Sequence, residues 1–294
     1  MEIIIAKNCG FCYGVKRALK LAKSVRRRAR GKVFTLGDLI HNPRVISELE
    51  KEGIHSRADV DTIERGPVII RSHGVPPEVI QKLKKKRVEV VDATCPIVKK
   101  IQRLVERLSR GPKELIIVGN RDHPEIMGLL GHSRGKAIII ENEAQVENLP
   151  WRKRRSVLAQ STQDIYVFSR VIAALLEKTE SLEVYNTICL FTRSRQKSTS
   201  ELASEVDVLF IIGGKNSSNT RQLFEISRRI LPTTYLIENA GQIVPKLLRG
   251  AQKVGLSGGA STPPEDIEEA VRKIRKCFNP KCSSPRESIV QWQS

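Results

Sequence analysis

Glu2-Ile-Ile-Ile-Ala-Lys-Asn-Cys-Gly-Phe-Cys12, Val88-Glu-Val-Val-Asp-Ala-Thr-Cys95 and Leu182-Glu-Val-Tyr-Asn-Thr-Ile-Cys189 follow one plan. A β-like run breaks into a short loop, reaches a cysteine and leads into an amphipathic, cation-rich segment such as Val98 to Leu108. Such recurrence sets the architecture, so the rest of the chain is read against it. A second shared element has its glycine 24 or 25 residues after each cysteine: an apolar strand ending in that glycine, a polar loop, then a helix. Its copies are Val33-Phe-Thr-Leu-Gly37-Asp-Leu-Ile-His41-Asn, Leu115-Ile-Ile-Val-Gly119-Asn-Arg-Asp-His123-Pro-Glu125 and Leu209-Phe-Ile-Ile-Gly213-Gly-Lys-Asn-Ser217-Ser-Asn219. A third element, a strand into a small polar loop, reads Val68-Ile-Ile-Arg-Ser72-His73, Val157-Leu-Ala-Gln160-Ser161-Thr162 and Val254-Gly-Leu-Ser-Gly-Gly-Ala-Ser261-Thr262.

Strands alternating with helices imply βαβ units and parallel sheets. The expected fold is therefore α/β, with three pseudo-threefold-related subdomains, each carrying a small, mostly parallel sheet. The expected boundaries are 1–95, with the tail 277–294 returning to it, then 96–188 and 189–276. Ligands of open α/β sheets bind beyond the carboxyl ends of the strands. Every polar residue singled out above follows a strand. Packing around a threefold axis brings these loops to one central pocket.

The 294 residues are 40% hydrophobic, enough for a substantial core, but only 4% aromatic, so Ile, Val and Leu must fill it. Lys and Arg number 51 against 32 Asp and Glu, a formal +19. That excess favours anionic partners: nucleic acid, an anionic substrate or an acidic protein. The runs Arg26–Arg28 and Lys84–Arg87 sit towards the ends of helix-like segments, where cations oppose the dipole. With Arg152–Arg155 they read as a solvated basic surface. No signal-peptide pattern opens the sequence and no apolar run approaches a membrane span, so a cytosolic protein is expected. Six cysteines in a reducing compartment point to metal or redox chemistry rather than disulfides.

One cysteine per repeat is unlike structural zinc, which takes four ligands in close pairs. Cys12, Cys95 and Cys189, offered from three units, match a [4Fe–4S] cluster with one iron free of protein. Such an iron acts as a Lewis acid while the cluster supplies electrons. Cys9 forms C-x-x-C with Cys12, a pattern that alone suggests zinc or a dithiol pair. It does not occupy the shared loop-to-helix position and is read as a neighbouring non-ligand. Cys277 and Cys282 are assigned no role.

His41, His73 and His123 each follow a strand and can donate to phosphate oxygens. Lys215 to Asn219 opens a helix, where free N–H groups and hydroxyls favour an anion. The Gly258–Thr262 loop offers the same chemistry, and together they read as a diphosphate cradle. The Walker pattern is absent, so nothing calls for ATP. Glu125 has two readings: a proton-delivering carboxyl in a dry pocket, or a helix N-terminal acid favoured by the dipole.

These residues together resemble the LytB family of 4-hydroxy-3-methylbut-2-enyl diphosphate reductases. The motifs that carry the resemblance are Gly10-Phe-Cys12-Tyr-Gly-Val, His41-Asn, Ser72-His73-Gly-Val, Asp92-Ala-Thr-Cys95-Pro, His123-Pro-Glu125, Gln160-Ser-Thr162, Cys189 with Thr192 and Arg195-Gln196, Lys215-Asn-Ser-Ser-Asn219 and Gly259-Ala-Ser261. The family implies a trefoil of three α/β subdomains around one cluster. It implies two-electron, two-proton removal of the C4 hydroxyl of an allylic diphosphate, giving isopentenyl and dimethylallyl diphosphate. Carried over, Cys12, Cys95 and Cys189 are cluster ligands and Glu125 is the proton donor. His41, His73, His123, Ser217, Ser218, Asn219 and Ser261 bind substrate. Ser161 and Thr162 match a pair that is usually two threonines, and Glu287 to Gln291 matches a closing strand. Electrons then come from an acidic carrier such as a ferredoxin or flavodoxin. A quinolinate-synthase-like enzyme shares the three repeats and three cysteines, but His-Pro-Glu and Asn-Ser-Ser-Asn fit it poorly. A basic RNA-binding protein with structural zinc suits the charge, yet no aromatic stacking platform is present.

Overall fold

Apolar β-branched runs bounded by polar loops become parallel strands, and the amphipathic segments between them become helices. The computed structural model describes residues 1–278 and 290–292. Its strands are β1 (Glu2–Ile5), β2 (Val33–Leu36), β3 (Ile54–Arg57), β4 (Val68–Ile70), β5 (Val90–Asp92), β6 (Glu114–Val118), β7 (Ile138–Ile140), β8 (Arg152–Ala159), β9 (Thr179–Tyr185), β10 (Val208–Ile212), β11 (Thr234–Ile237), β12 (Lys253–Gly258) and β13 (Val290–Trp292). The helices are α1 (Tyr13–Arg28), α2 (Pro43–Lys51), α3 (Pro77–Lys85), α4 (Pro96–Ser109), α5 (Pro124–His132), α6 (Ile165–Glu177), α7 (Leu190–Ala203), α8 (Ser218–Ile230) and α9 (Pro264–Phe278).

The strands form three sheets, ordered β3-β2-β4-β5, β7-β6-β8-β9 and β11-β10-β12-β1-β13. Every pairing is parallel. The chain divides into two compact units. One comprises Met1–Tyr13, His41–Val45 and Leu190–Ser294, and holds the β1-containing sheet. The other comprises Gly14–Ile40 and Ile46–Cys189, and holds the other two sheets.

Fold class is as expected, but one subdomain boundary needs correction. Residues 2–5 do not belong with the sheet of residues 33–92. β1 pairs with β12 on one side and β13 on the other. The repeat is closed circularly. β5 precedes Cys95 and pairs with β4, while β9 precedes Cys189 and pairs with β8. The strand before Cys12 completes the last sheet instead, between β12 and β13. The tail pairs with β1 at Val290–Trp292 and so joins the β10–β12 sheet, not that of residues 33–92; residues 287–289 of the expected closing strand lie outside the described residues.

Both faces of the sheets are covered. Ile3 and Ile5 pack with Ile267, Ala270 and Ile274 of α9, whereas Ile4 and Ala6 pack with Leu202 of α7 and Leu223 of α8. Around β6 and β8, Ile116 and Val157 meet Phe168 and Leu175 of α6, while Ile117 and Leu158 meet Ile101 of α4 and Leu129 of α5. Strands buried on both sides read as continuous apolar runs, as these do. Each such Ile or Leu contributes about 1.5–3 kcal/mol through burial, so the strand ends are fixed in space.

The Arg152–Arg155 run is not wholly solvated, contrary to the surface reading. Arg155 is fully buried, and its Nε donates to Glu114 at 2.7 Å. The cations ending α1 and α3 lie in the last helical turn as expected. Among the described residues no helix is long and apolar enough to cross a membrane.

Candidate active site

Each cysteine is placed by the strand beside its own. The Cys95 N–H donates to Ser72 O (2.9 Å), the Cys189 N–H to Ser161 O (2.9 Å) and the Cys12 N–H to Ala260 O (3.0 Å). The acceptors stand at one repeat position, two residues beyond the ends of β4, β8 and β12. The second element repeats as faithfully. The N–H groups of Gly37, Gly119 and Gly213 donate to Arg57, Ile140 and Ile237, the last residues of β3, β7 and β11. The three cysteines are thus structural equivalents, as the sequence pattern implied.

All five cysteines among the described residues are free thiols, half-buried. Cys9 differs from the three. It packs against the β1–α9 core, and removal of its sulfur from water pushes the thiol up to about 12. This environment favours the protonated thiol. Cys277 packs into the same core, and Cys282 lies outside the described residues. Three equivalent, half-buried thiols at strand-to-helix turns are the soft donor set that an iron–sulfur cluster requires.

In the two-sheet unit, His123 caps α5. Its Nδ1 accepts the Glu125 N–H at 3.1 Å, which leaves Nε2 as the donor of the neutral ring. The His73 ring meets the His123 ring edge-on, centroids 5.3 Å apart. Glu125 is 1% exposed. Its carboxylate does not cap its own helix, so the dipole reading fails to explain where it points. One oxygen accepts the Ser161 N–H at 2.7 Å and the other accepts the Ser161 hydroxyl at 2.6 Å. Burial raises the Glu125 pKa; the two Ser161 bonds oppose the rise without cancelling it. A carboxyl so placed holds a proton above the usual carboxylate range, as a proton donor must. Thr162 sits beside this pair, its hydroxyl accepting from Gln160 Nε2 at 2.9 Å.

Residues His41, Ser217, Ser218, Asn219 and Ser261 belong to the other unit. Ser217 is the N-cap of α8, its Oγ accepting the Thr220 N–H at 3.4 Å. Ser218 and Asn219 open the helix. The side chain of Asn219 is buried, and neither its amide nitrogen nor its amide oxygen has a partner among the described residues. Orphaned buried amides are costly. At a helix N-terminus, where free N–H groups face outward, this one marks a place for an anion. Ser261 Oγ donates to His41 O at 3.0 Å, joining the β12 loop to the His41 loop. Glycine is needed in the loops after β10 and β12: a Cβ on Gly214 meets His41 O at 3.0 Å. On Gly259 it meets Thr220 Oγ1 at 2.0 Å.

Sequence reasoning gave no role to Arg195, Asn8 or Ser198. Arg195 is 3% exposed and donates to Asn8 O and Gly10 O, at 2.8 and 2.7 Å. An arginine on a weakly amphipathic helix beside Gln196 carries no local signal of burial.

A family model described as LytB protein matches residues 3–275. The chain is 43% identical over 279 residues to 4-hydroxy-3-methylbut-2-enyl diphosphate reductase of Aquifex aeolicus, covering 94% of this chain and 96% of that one. It is 40% identical over 283 residues to the reductase so named in Geobacter metallireducens, covering 96% and 100%. A solved structure of (E)-4-hydroxy-3-methyl-but-2-enyl diphosphate reductase, described as the terminal enzyme of the non-mevalonate pathway, is similar with a TM-score of 0.68. Its sequence is 42% identical, with 94% of this chain and all of that one covered. The Plasmodium falciparum structure of an E-1-hydroxy-2-methyl-but-2-enyl-4-diphosphate reductase shares the fold, with a TM-score of 0.88 at 24% identity, 99% of this chain and 91% of that one being covered.

Proposed function

Because the chain belongs to the LytB family, we propose that it is a 4-hydroxy-3-methylbut-2-enyl diphosphate reductase. It takes one [4Fe–4S] cluster on Cys12, Cys95 and Cys189. The reaction adds two electrons and two protons to the allylic diphosphate, breaks the C4–oxygen bond and releases water with isopentenyl or dimethylallyl diphosphate. When bound, the cluster supplies the electrons and a Lewis-acidic iron.

The protein's own residues do the rest. At the α8 N-terminus, the Ser217 and Ser218 hydroxyls, the Asn219 amide and the free N–H groups offer donors to the diphosphate, with Ser261 and His41 beside them. His123 Nε2 and the neighbouring His73 ring add donors from the two-sheet unit. Binding through the non-reacting diphosphate fixes the reacting end, so proximity lowers the barrier. Glu125 delivers the proton that lets the hydroxyl leave as water.

The observation that carries the reading is the Glu125–Ser161 pair. A carboxyl 1% exposed, its proton retained by burial and its geometry fixed by the hydroxyl and amide of one residue, has no need of such an arrangement as a helix acid. The sequence carries no nicotinamide or flavin fingerprint, so electrons come from a separate carrier. The +19 charge suits a small acidic ferredoxin or flavodoxin. The experiment is Glu125→Gln in anaerobically reconstituted protein. Iron content and substrate binding are expected to persist while turnover falls by roughly 10²–10⁴-fold, the range for a lost general acid. Undiminished turnover removes Glu125 from the reaction.

A further inference from the structure

The loop that ends on Cys12 is held differently from the other two cysteine loops. Asp92, three residues before Cys95, accepts the Thr94 N–H at 2.9 Å and pairs with Lys99 at 2.6 Å. Asn186, three residues before Cys189, accepts the Ile188 N–H at 3.3 Å. Both are Asx turns that close the loop on itself. The same position before Cys12 is Cys9, whose sulfur meets the Gly10 and Gly258 N–H groups but is a weak acceptor beside a carboxylate or amide oxygen.

Helix α7 supplies the stronger contacts. Arg195 Nε donates to Asn8 O (2.8 Å) and its Nη2 to Gly10 O (2.7 Å). Ser198 Oγ donates to Lys7 O (2.9 Å), and Asn8 Nδ2 donates to Ser194 Oγ (2.8 Å). Asn8 and Gly10 are both left-handed, with φ of 59° and 99°. That geometry takes their carbonyls out of the strand ladder, so they need partners from elsewhere. A related contact occurs in the two-sheet unit: Arg17, on the helix after Cys12, donates to Thr94 O at 3.1 Å, immediately before Cys95.

We propose that Arg195 is a positioning residue for Cys12. Its buried guanidinium, with Ser198, does for this loop from α7 what Asp92 and Asn186 do for the other two from within. The restraint on the loop stands on these contacts alone. Its consequence for cluster assembly rests on the ligand reading given above.

The test compares Arg195→Met, Arg195→Lys and the exposed control Arg193→Met in the full chain. Amide hydrogen exchange of the peptide covering residues 7–13 is read in apo protein. Iron, sulfide and the electron paramagnetic resonance spectrum of the reduced cluster are read after anaerobic reconstitution. Losing charged hydrogen bonds speeds exchange of that peptide by roughly tenfold or more. Arg195→Met is expected to show that increase, together with reduced iron content or a changed spectrum. Arg195→Lys, which keeps one donor, recovers part of both, and Arg193→Met matches the parent. Unchanged exchange, or parental iron content and spectrum, in Arg195→Met overturns the proposal. Should circular dichroism show Arg195→Met unfolded, Ser198→Ala removes the α7 contact to Lys7 O, and an exchange rate equal to the parent's then overturns it. Failure of the parent protein to take up iron refutes the cluster reading and leaves the exchange arm to decide the role of Arg195.

Discussion

Removing the Ser161 hydroxyl should drive the Glu125 pKa upward. Burial already raises this carboxyl above its ordinary 4.5, and Ser161 opposes that rise with its hydroxyl and its N–H. Ser161→Ala deletes the 2.6 Å hydroxyl bond and keeps the 2.7 Å amide bond. A hydrogen bond to a charged acceptor is worth about 1.5–3 kcal/mol, so its loss disfavours the ionised form by about that much and moves the carboxyl further upward. Two consequences have definite signs. The acid form persists to higher pH, so the alkaline limb of the turnover profile moves up with it. Stability responds too. Between 4.5 and the folded-state pKa the folded protein holds a proton that the unfolded chain has released, so stability falls as pH rises. Ser161→Ala extends that window upward, and its stability loss is therefore larger at alkaline pH than near 4.5. Infrared difference spectroscopy of the carboxyl band, with Glu125→Gln as the blank, reads the pKa directly. Ser161→Thr keeps the hydroxyl and should leave the band where it is. A Glu125 pKa that stays put or falls in Ser161→Ala refutes the assigned hydrogen bond as the force that opposes burial.

Other expectations follow from single contacts. Asn219→Leu removes an orphaned buried amide, so the unliganded protein should gain about 1–3 kcal/mol in thermal unfolding while calorimetry shows weaker binding of inorganic diphosphate; a destabilised variant with parental affinity contradicts the anion role. Gly259→Ala sets a methyl 2.0 Å from Thr220 Oγ1 and should cost about 1–3 kcal/mol, seen as a lower melting temperature. Cys9→Ser should leave iron per chain unchanged after reconstitution, and loss of iron there reassigns the ligand set.

Much of this was legible in the sequence because the repeats are spaced alike. Strand, glycine and cysteine recur in register, so the pattern places β2, β6 and β10 and the loops after them. The misplacement of β1 has a definite cause. Adjacency along the chain assigns Glu2–Ile5 to the sheet that follows, whereas hydrogen bonding assigns it to β12, more than two hundred residues later. Pattern alone left Glu125 balanced between helix acid and proton donor. Only the position of Ser161, brought to it by the β8 loop, decides where the carboxylate points. Arg155 reads as solvated with its neighbours, because a run of cations does not show which member meets Glu114 inside. The α7 contacts to Lys7, Asn8 and Gly10 were silent for the same reason: they join residues some 185 positions apart.

An anaerobic assay tests the assigned reaction directly. Protein reconstituted with iron and sulfide is mixed with (E)-4-hydroxy-3-methylbut-2-enyl diphosphate and a low-potential chemical reductant, and the products are separated by chromatography. Consumption of the substrate with formation of isopentenyl and dimethylallyl diphosphate, by brown protein carrying about four irons per chain, is the predicted result. Iron-loaded protein that binds this diphosphate and leaves its C4 hydroxyl in place contradicts it.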